Sequence, residues 1–250
     1  TSPSSLSSPS LHHTRKHHNN NNKDNNIHPT LLCWNCHFIS NKIEILRHLI
    51  SIHHPCILFL QETLRDEKSP SLFLGKHERW TIFEQPLIHN SPGDRGILTA
   101  LSLDHPCSPL SGWSAHRIST EADRFMIVVE LTPSALLQQT HHQQLHPLIL
   151  INIYLTSKTG NKKKQHYTFI NTIRQLQEQY HHTHLFILAG DFNLPTKSAK
   201  ELLSPFSDTF TKSNLSEDGV QYTFFSNLHG KREIDHVWTS PGVFPITTSH

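Results

Sequence analysis

Apolar residues along this chain fall into short blocks separated by polar breaks, and most blocks have the length of a strand. Leu185-Phe186-Ile187-Leu188-Ala189 is an unbroken apolar run, as expected of a strand covered on both faces. Cys56-Ile57-Leu58-Phe59-Leu60 is a second such run, Leu148 to Leu155 reads as a third strand and Leu31 to Asn35 as a fourth. Trp80 to Phe83, Gly96 to Leu103, Trp113 to Ile118 and Phe125 to Leu131 are parted by Gly-, Pro- and Asp-rich breaks such as Ser91 to Arg95. That is a strand-and-turn pattern of antiparallel type. Tyr222 to Ser226 and Glu233 to Trp238 are the last predicted strands, with a turn from Asn227 to Arg232 between them.

Elsewhere the period becomes helical. Ile43, Leu46, Leu49 and Ile50 form one stripe of a helix from Asn41 to Ile52, which Ser40 is placed to cap and Pro55 to end. Phe169, Ile173 and Leu176 mark a helix from Gly160 to Tyr180, and a short helix is expected from Lys197 to Leu203. Lys162-Lys163-Lys164 opens the longer helix, as a solvated charge run or as a contact for a phosphate backbone. Pro133 to His146 is polar and Gln/His-rich, the composition of a surface loop.

Composition narrows the picture unevenly. Residues 1–28 are Ser/Pro-rich, then His/Asn-rich, and such a segment buries too little apolar surface to offset its ordering entropy; a disordered tail is expected there. Lys and Arg number 22 against 20 Asp and Glu, a net charge of +2, too small by itself to point to nucleic acid. The 23 His are scattered and often doubled, a compositional bias that adds positive charge below neutral pH. Cys33-Trp34-Asn35-Cys36 has the gap of a metal or redox pair, but the four Cys include no second pair to complete a zinc site. Buried reduced thiols are the expectation. No apolar run reaches the ~18 residues of a membrane span, and Thr1-Ser2-Pro3-Ser4 opens no secretory signal. The expected location is intracellular, in nucleus or cytoplasm. With no initial Met, the sequence reads as a fragment.

The candidate chemistry stands at strand ends. The run Leu185 to Ala189 closes on Gly190-Asp191-Phe192-Asn193. In an extended backbone Asp191 and Asn193 project together, a pairing suited to a metal, a water or a phosphate; an Asx turn closing a core strand accounts for the same residues. Cys56 to Leu60 is followed by Gln61-Glu62-Thr63, so two core strands end in a carboxylate. Asn152 and Tyr154 share one face of their strand. Asp235 is solvent-facing or site-facing, with His236 on the opposite face.

Six segments occur in order: Trp34-Asn35, Phe59-Leu60-Gln61-Glu62-Thr63, Ile151-Asn152-Ile153-Tyr154, Gly190-Asp191-Phe192-Asn193, Tyr222-Thr223-Phe224-Phe225-Ser226 and Ile234-Asp235-His236. Through them the chain, from residue 30 to 250, resembles the endonuclease/exonuclease/phosphatase superfamily. Within it the likeness is to the apurinic-type endonuclease domain of LINE-type, non-LTR retrotransposons, and Gln221 through Trp238 points to that branch. The resemblance implies an α/β fold, a four-layer α/β sandwich of two packed, mostly antiparallel sheets flanked by helices, truncated at its C-terminus.

It also implies roles. Glu62 resembles the acid that binds Mg²⁺ (or Mn²⁺), with Asn35 beside it in the metal and phosphate shell. Asp191 resembles the residue that orients or deprotonates the attacking water, Asn193 and Tyr154 the ligands of the scissile phosphate, and Thr223 a further phosphate contact. Asp235 resembles the acid that orients a catalytic His. The pattern's closing Asp-His pair is imperfect: Ser249 stands where the Asp is expected, and the spacing from Asp235 is short. Either His250 is a chance residue with the true pair beyond the fragment, or the element has decayed. The implied activity is Mg-dependent phosphodiester hydrolysis, a DNA endonuclease that nicks its partner DNA ahead of a downstream reverse transcriptase domain. The alternatives are a phosphatase of the same fold, acting on a lipid, inositol phosphate or nucleotide, and a non-catalytic fragment.

Overall fold

The computed structural model describes residues 30–72, 74, 80–88, 95–105, 107–140, 145–157, 159–212, 224–226, 230–232 and 234–241. The chain begins with β1 (Leu31–Asn35), α1 (Ile43–His53), β2 (Ile57–Gln61), β3 (Thr81–Gln85) and β4 (Ile97–Leu101). These strands form a four-stranded sheet in the order β1-β2-β4-β3. It continues with β5 (Trp113–Ile118), β6 (Met126–Pro133), α2 (Ala135–Thr140), β7 (Leu148–Tyr154), α3 (Thr159–Tyr180), β8 (Leu185–Asp191), α4 (Thr196–Leu203) and β9 (Thr211–Lys212). A hairpin of β10 (Phe224–Ser226) and β11 (Gly230–Arg232) precedes β12 (Asp235–Thr239). The second sheet has six strands in the order β5-β6-β7-β8-β12-β9.

Within these two sheets only β1 with β2 and β7 with β8 run parallel, among the described residues. Parallel neighbours need a crossover, and α1 and α3 supply the two. Both parallel pairs therefore deliver two strand ends to the same edge. Three apolar clusters stack the layers. Leu46 and Ile50 of α1 cover Leu58, Leu60, Leu98 and Ala100 on the outside of the smaller sheet. Ile57, Phe59, Ile127, Leu150 and Ile187 fill the space between the sheets. Phe169, Ile173 and Leu176 of α3, with Ala199 and Leu203 of α4, cover Ile149, Ile151, Phe186 and Leu188 outside the larger one. Burial on both faces is why β2, β7 and β8 read as unbroken apolar runs. This is the expected α/β sandwich of two mostly antiparallel sheets flanked by helices. Among the described residues no helix is long and apolar enough to cross a membrane.

Local expectations needed correction in three places. Ser40 does not cap α1: Ile39–Asn41 form a 3₁₀ turn, and the helix starts after Lys42 with no side-chain cap. The turn is pinned instead, because the Phe38 and Ile39 N–H groups donate to Glu62 O at 2.8 Å and Thr63 O at 3.2 Å. The segment expected to be a loop contains α2, whose Leu137 N–H donates to Ser134 Oγ at 3.3 Å. Gly230–Arg232, expected as part of a turn, is a strand paired with β10. The predicted N-terminal tail lies outside the described residues. All four Cys are free; Cys36 and Cys56 are buried, Cys33 is half-buried and Cys107 is exposed. Burial pushes the Cys36 and Cys56 thiols up to about 12, the reverse of what a metal-binding or redox thiolate requires.

Candidate active site

Every second residue of a strand lines the space between the sheets. Along β1 that inward row is Leu31, Cys33, Asn35, and along β2 it is Ile57, Phe59, Gln61. Along β7 it is Leu148, Leu150, Asn152, Tyr154, and along β8 it is Leu185, Ile187, Ala189, Asp191. β12 runs the opposite way to β8 and places Asp235 before Val237. Each row is apolar through the sandwich and turns polar at the same edge. Register aligns the larger sheet's share: Tyr154 neighbours Asp191 across β7 and β8, and Asp191 faces Asp235 across β8 and β12.

One carboxamide joins the two sheets at this edge. Asn35 Nδ2 donates to Asp191 Oδ2 at 2.7 Å and to Glu62 Oε1 at 3.1 Å. Glu62 Oε2 lies 2.9 Å from His37 Nδ1, and the Tyr154 phenol is near enough to feel the Glu62 charge. Glu62 itself sits one residue past β2 with φ 51, a left-handed backbone seldom adopted by a residue with a side chain. The bond from Phe38 N–H to its carbonyl, and one from Thr63 N–H to Gly96 O at 3.1 Å, hold it there. Beneath the site, Gln61 Nε2 donates to Asn152 Oδ1 at 2.7 Å, and Asn152 Nδ2 donates to Leu98 O at 2.8 Å and Thr99 Oγ1 at 3.3 Å. Gln61, Asn152 and Thr99 are fully buried. This polar bridge crosses the inter-sheet core and is satisfied, as buried amides must be.

The environment sets protonation. Burial raises the Asp191 carboxyl well above the ordinary carboxylate range, and the Asp235 charge beside it raises it further; the Asn193 N–H and Asn35 carboxamide act in the opposite sense. Burial, then the charges of Glu62 and Asp191, push the Tyr154 phenol up, opposed by Arg95. Its hydroxyl is therefore a donor at any working pH.

Of these two carboxylates Glu62 is the one that could hold a cation, since its side chain is 14% exposed whereas Asp191 is 1% exposed. Among the described residues no three His, Cys, Asp or Glu side chains gather into a metal cluster. One accessible carboxylate among polar neighbours fits a hard cation that keeps several waters and takes further oxygens from its substrate. Asn35 directs its NH₂ toward Glu62, while its Oδ1 accepts the His37 N–H at 3.3 Å. In this orientation it tethers the two carboxylates rather than offering an oxygen to an ion.

Asn35, Glu62, Tyr154, Asp191 and Asp235 are thus brought together. Asn193 does not project alongside Asp191. β8 ends at Asp191, Asn193 takes φ 47, and its N–H donates to Asp191 Oδ1 at 2.8 Å. That Asx turn aims the Asn193 carboxamide at Leu155 O, 2.7 Å away. His236 lies on the other face, buried against Phe192 with Nε2 2.8 Å from Leu194 O. Thr223 and His250 lie outside the described residues. Gln61, Asn152, Arg95 and His37 take part without having been singled out as site residues. Polar side chains set within or just after apolar runs are the signal for the first two.

Two packed mixed sheets, helices outside them and polar strand ends meeting at one edge are a fold shared with solved proteins of the endonuclease/exonuclease/phosphatase type. The AP endonuclease LMAP from Leishmania major superposes with a TM-score of 0.60 at 15% identity, over 85% of this chain and 79% of that one. The 3′ phosphatase NExo from Neisseria, bound to a product DNA hairpin, gives 0.57 at 17% identity, over 85% and 86%. The endonuclease domain of TRAS1, a telomere-specific non-LTR retrotransposon, gives 0.56 at 12%, over 85% and 84%. The likeness is one of fold. No family model and no curated protein matches the sequence.

Proposed function

We propose that this chain hydrolyses a phosphodiester bond in DNA with the help of Mg²⁺ or Mn²⁺, leaving a nick. The observation that carries the reading is the Asn35 carboxamide spanning Glu62 and Asp191, because it sets a cation-holding acid and a buried base within two hydrogen bonds of each other. Asp191 Oδ1 accepts from the Asn193 N–H and Oδ2 from Asn35 Nδ2, and a lone pair that these bonds leave free on the carboxylate takes the proton of the attacking water. Burial makes it a stronger base than an exposed carboxylate, as general-base catalysis near neutral pH requires. The water oxygen bonds to phosphorus, the bond from phosphorus to the 3′ sugar oxygen breaks, and that oxygen takes a proton from solvent, so that a 3′-hydroxyl and a 5′-phosphate result. The Tyr154 hydroxyl is a donor for the non-bridging oxygens, where charge builds in the transition state. An ion held by Glu62 would neutralise that same charge.

DNA as the partner is supported by exposed cations. α3 begins at Thr159, a short link beyond the end of β7, and Lys163 and Lys164 in its first turns are exposed. The test is nicking of supercoiled plasmid in Mg²⁺. Glu62→Gln and Asp191→Asn are each expected to lower the rate by roughly 10² to 10⁴; undiminished cleavage by both rejects the reading. The shared fold of the 3′ phosphatase NExo favours one competitor, a phosphatase. Release of inorganic phosphate from a 3′-phosphorylated hairpin, with plasmid left intact, would select it.

A further inference from the structure

His37 is unused in that mechanism, yet its Nδ1 stands 2.9 Å from Glu62 Oε2. We propose that His37 is a nitrogen ligand of the cation held by Glu62, which makes this a mixed nitrogen and oxygen centre that ranks first-row transition ions above Mg²⁺. The inference rests on the metal reading of Glu62 given above. Two donors about 2.1 Å from one ion, at right angles to each other, stand about 3 Å apart, so the imidazole and carboxylate already have the separation of neighbouring ligands.

The backbone fixes that separation. His37 and Phe38 are consecutive left-handed residues, at φ 39 and φ 75, and neither is glycine. Such conformations persist only where the surroundings impose them. Here the His37 N–H is anchored on Asn35 Oδ1, and the Phe38 N–H is anchored on the carbonyl of Glu62 itself. The strained turn thus ties the imidazole to the main chain of its carboxylate partner. The His37 side chain is 68% exposed, which leaves room for an ion, its waters and a substrate oxygen. Imidazole binds first-row transition ions in preference to Mg²⁺, which favours oxygen donors. The simpler alternative is a surface His-Glu contact that any bound ion displaces.

Mn²⁺ is the probe, read by electron paramagnetic resonance on the full chain and independently of turnover. Wild type is expected to bind one Mn²⁺ with nitrogen hyperfine coupling from a single imidazole. His37→Asn, which keeps a residue tolerant of the left-handed backbone, should abolish the coupling. It should weaken Mn²⁺ binding by at least about tenfold, the lower bound for disturbing even an outer-shell partner, while Mg²⁺ binding changes less. Glu62→Gln should remove both the coupling and the ion. Coupling that survives either substitution comes from the chain's other histidines and overturns the assignment. So does a Glu62-dependent ion with no nitrogen coupling, an outcome that leaves the metal reading of Glu62 standing. An ion whose binding is indifferent to Glu62 overturns both.

Discussion

The two sheets bring polar side chains to one edge by different means. The larger sheet uses its hydrogen-bonded ladder. Tyr154, Asp191 and Asp235 occupy one register row on three adjacent strands, and they stay aligned for as long as those strands stay paired. The smaller sheet uses the turns into which its strands run. Glu62 lies one residue past β2 and His37 two residues past β1, both on left-handed backbone. The ladder half is sealed, with Asp191 1% exposed; the loop half is open, with the His37 side chain 68% exposed. Burial raises the affinity of Asp191 for a proton, and partial exposure leaves Glu62 open to solvent and, under the proposed function, to an ion. One edge serves both needs because two construction methods meet there.

The largest expected effect comes from breaking the ladder at its glycine. Gly190 precedes Asp191 with φ 143, and an added Cβ would lie 2.1 Å from the Ile153 carbonyl oxygen. That neighbour is backbone in a paired strand and cannot give way. Gly190→Ala is expected to lower stability by at least about 3 kcal/mol, read by urea unfolding. Gly96, on the loop half, has φ 72 and a nearest atom, Thr63 Oγ1, at 2.7 Å. The hydroxyl end of a side chain can move, so Gly96→Ala should cost about 1–3 kcal/mol for the backbone conformation. Equal losses at both glycines would erase the distinction between a rigid half and an adjustable one.

Asp191 sharpens the comparison through pH. Its folded pKa lies above its unfolded value, so the native state binds that proton more tightly. Stability is then greatest below the ordinary carboxylate range and falls as pH rises through the raised value. Asp191→Asn has no proton to lose there. It should unfold at a higher temperature than wild type at pH 7, with the gap closing below about pH 4, while plasmid nicking falls by roughly 10² to 10⁴. A variant less stable than wild type at neutral pH would mean that the hydrogen bonds from Asn35 and Asn193 outweigh the burial cost.

The strands covered on both faces, in either sheet, are the part of the molecule most legible in the sequence. A strand buried on both faces is written as an unbroken apolar run, so β2, β7 and β8 stand out, and the acids at the ends of two of them mark the edge where they stop. Tyr154 is found by the two-residue rule. The same rule fails one turn later, because Asn193 leaves the extended conformation and the spacing no longer sets its direction. α2 is hidden by composition: Ala135 to Gln139 favours helix, but the surrounding Pro, Gln and His residues read as loop. His37 is camouflaged among 23 histidines; only the fold, by bringing Glu62 to it across 25 positions, distinguishes it from the rest. The Gln61 and Asn152 pair spans 91 positions, and neither residue announces a partner.

That pair supplies the next test, since it is the joint between the two halves. Asn152→Leu alone leaves Gln61 Nε2 with only the weak acceptor Cys33 Sγ at 3.5 Å and should cost about 1–3 kcal/mol. Replacing both by Leu removes the stranded group as well, so the double variant should recover much of that loss, and a double-mutant cycle should return a coupling of about 1 kcal/mol or more. Additive losses would mean that each amide is held by its own sheet and that the bridge does not register one half against the other.

The smallest expected effect concerns the lysines at the start of α3. They are exposed, so Lys163→Gln with Lys164→Gln should leave the unfolding curve unchanged. α3 follows β7, so these cations belong to the ladder half. If that half also meets the phosphate backbone, each lysine that neutralises one phosphate contributes about 0.9 to the slope of log affinity against log salt. The double variant should flatten the slope for duplex DNA accordingly and weaken binding most at low salt. An unchanged slope would leave the lysines as solvated charge and move the DNA contact to the open half, where His37 and Glu62 stand.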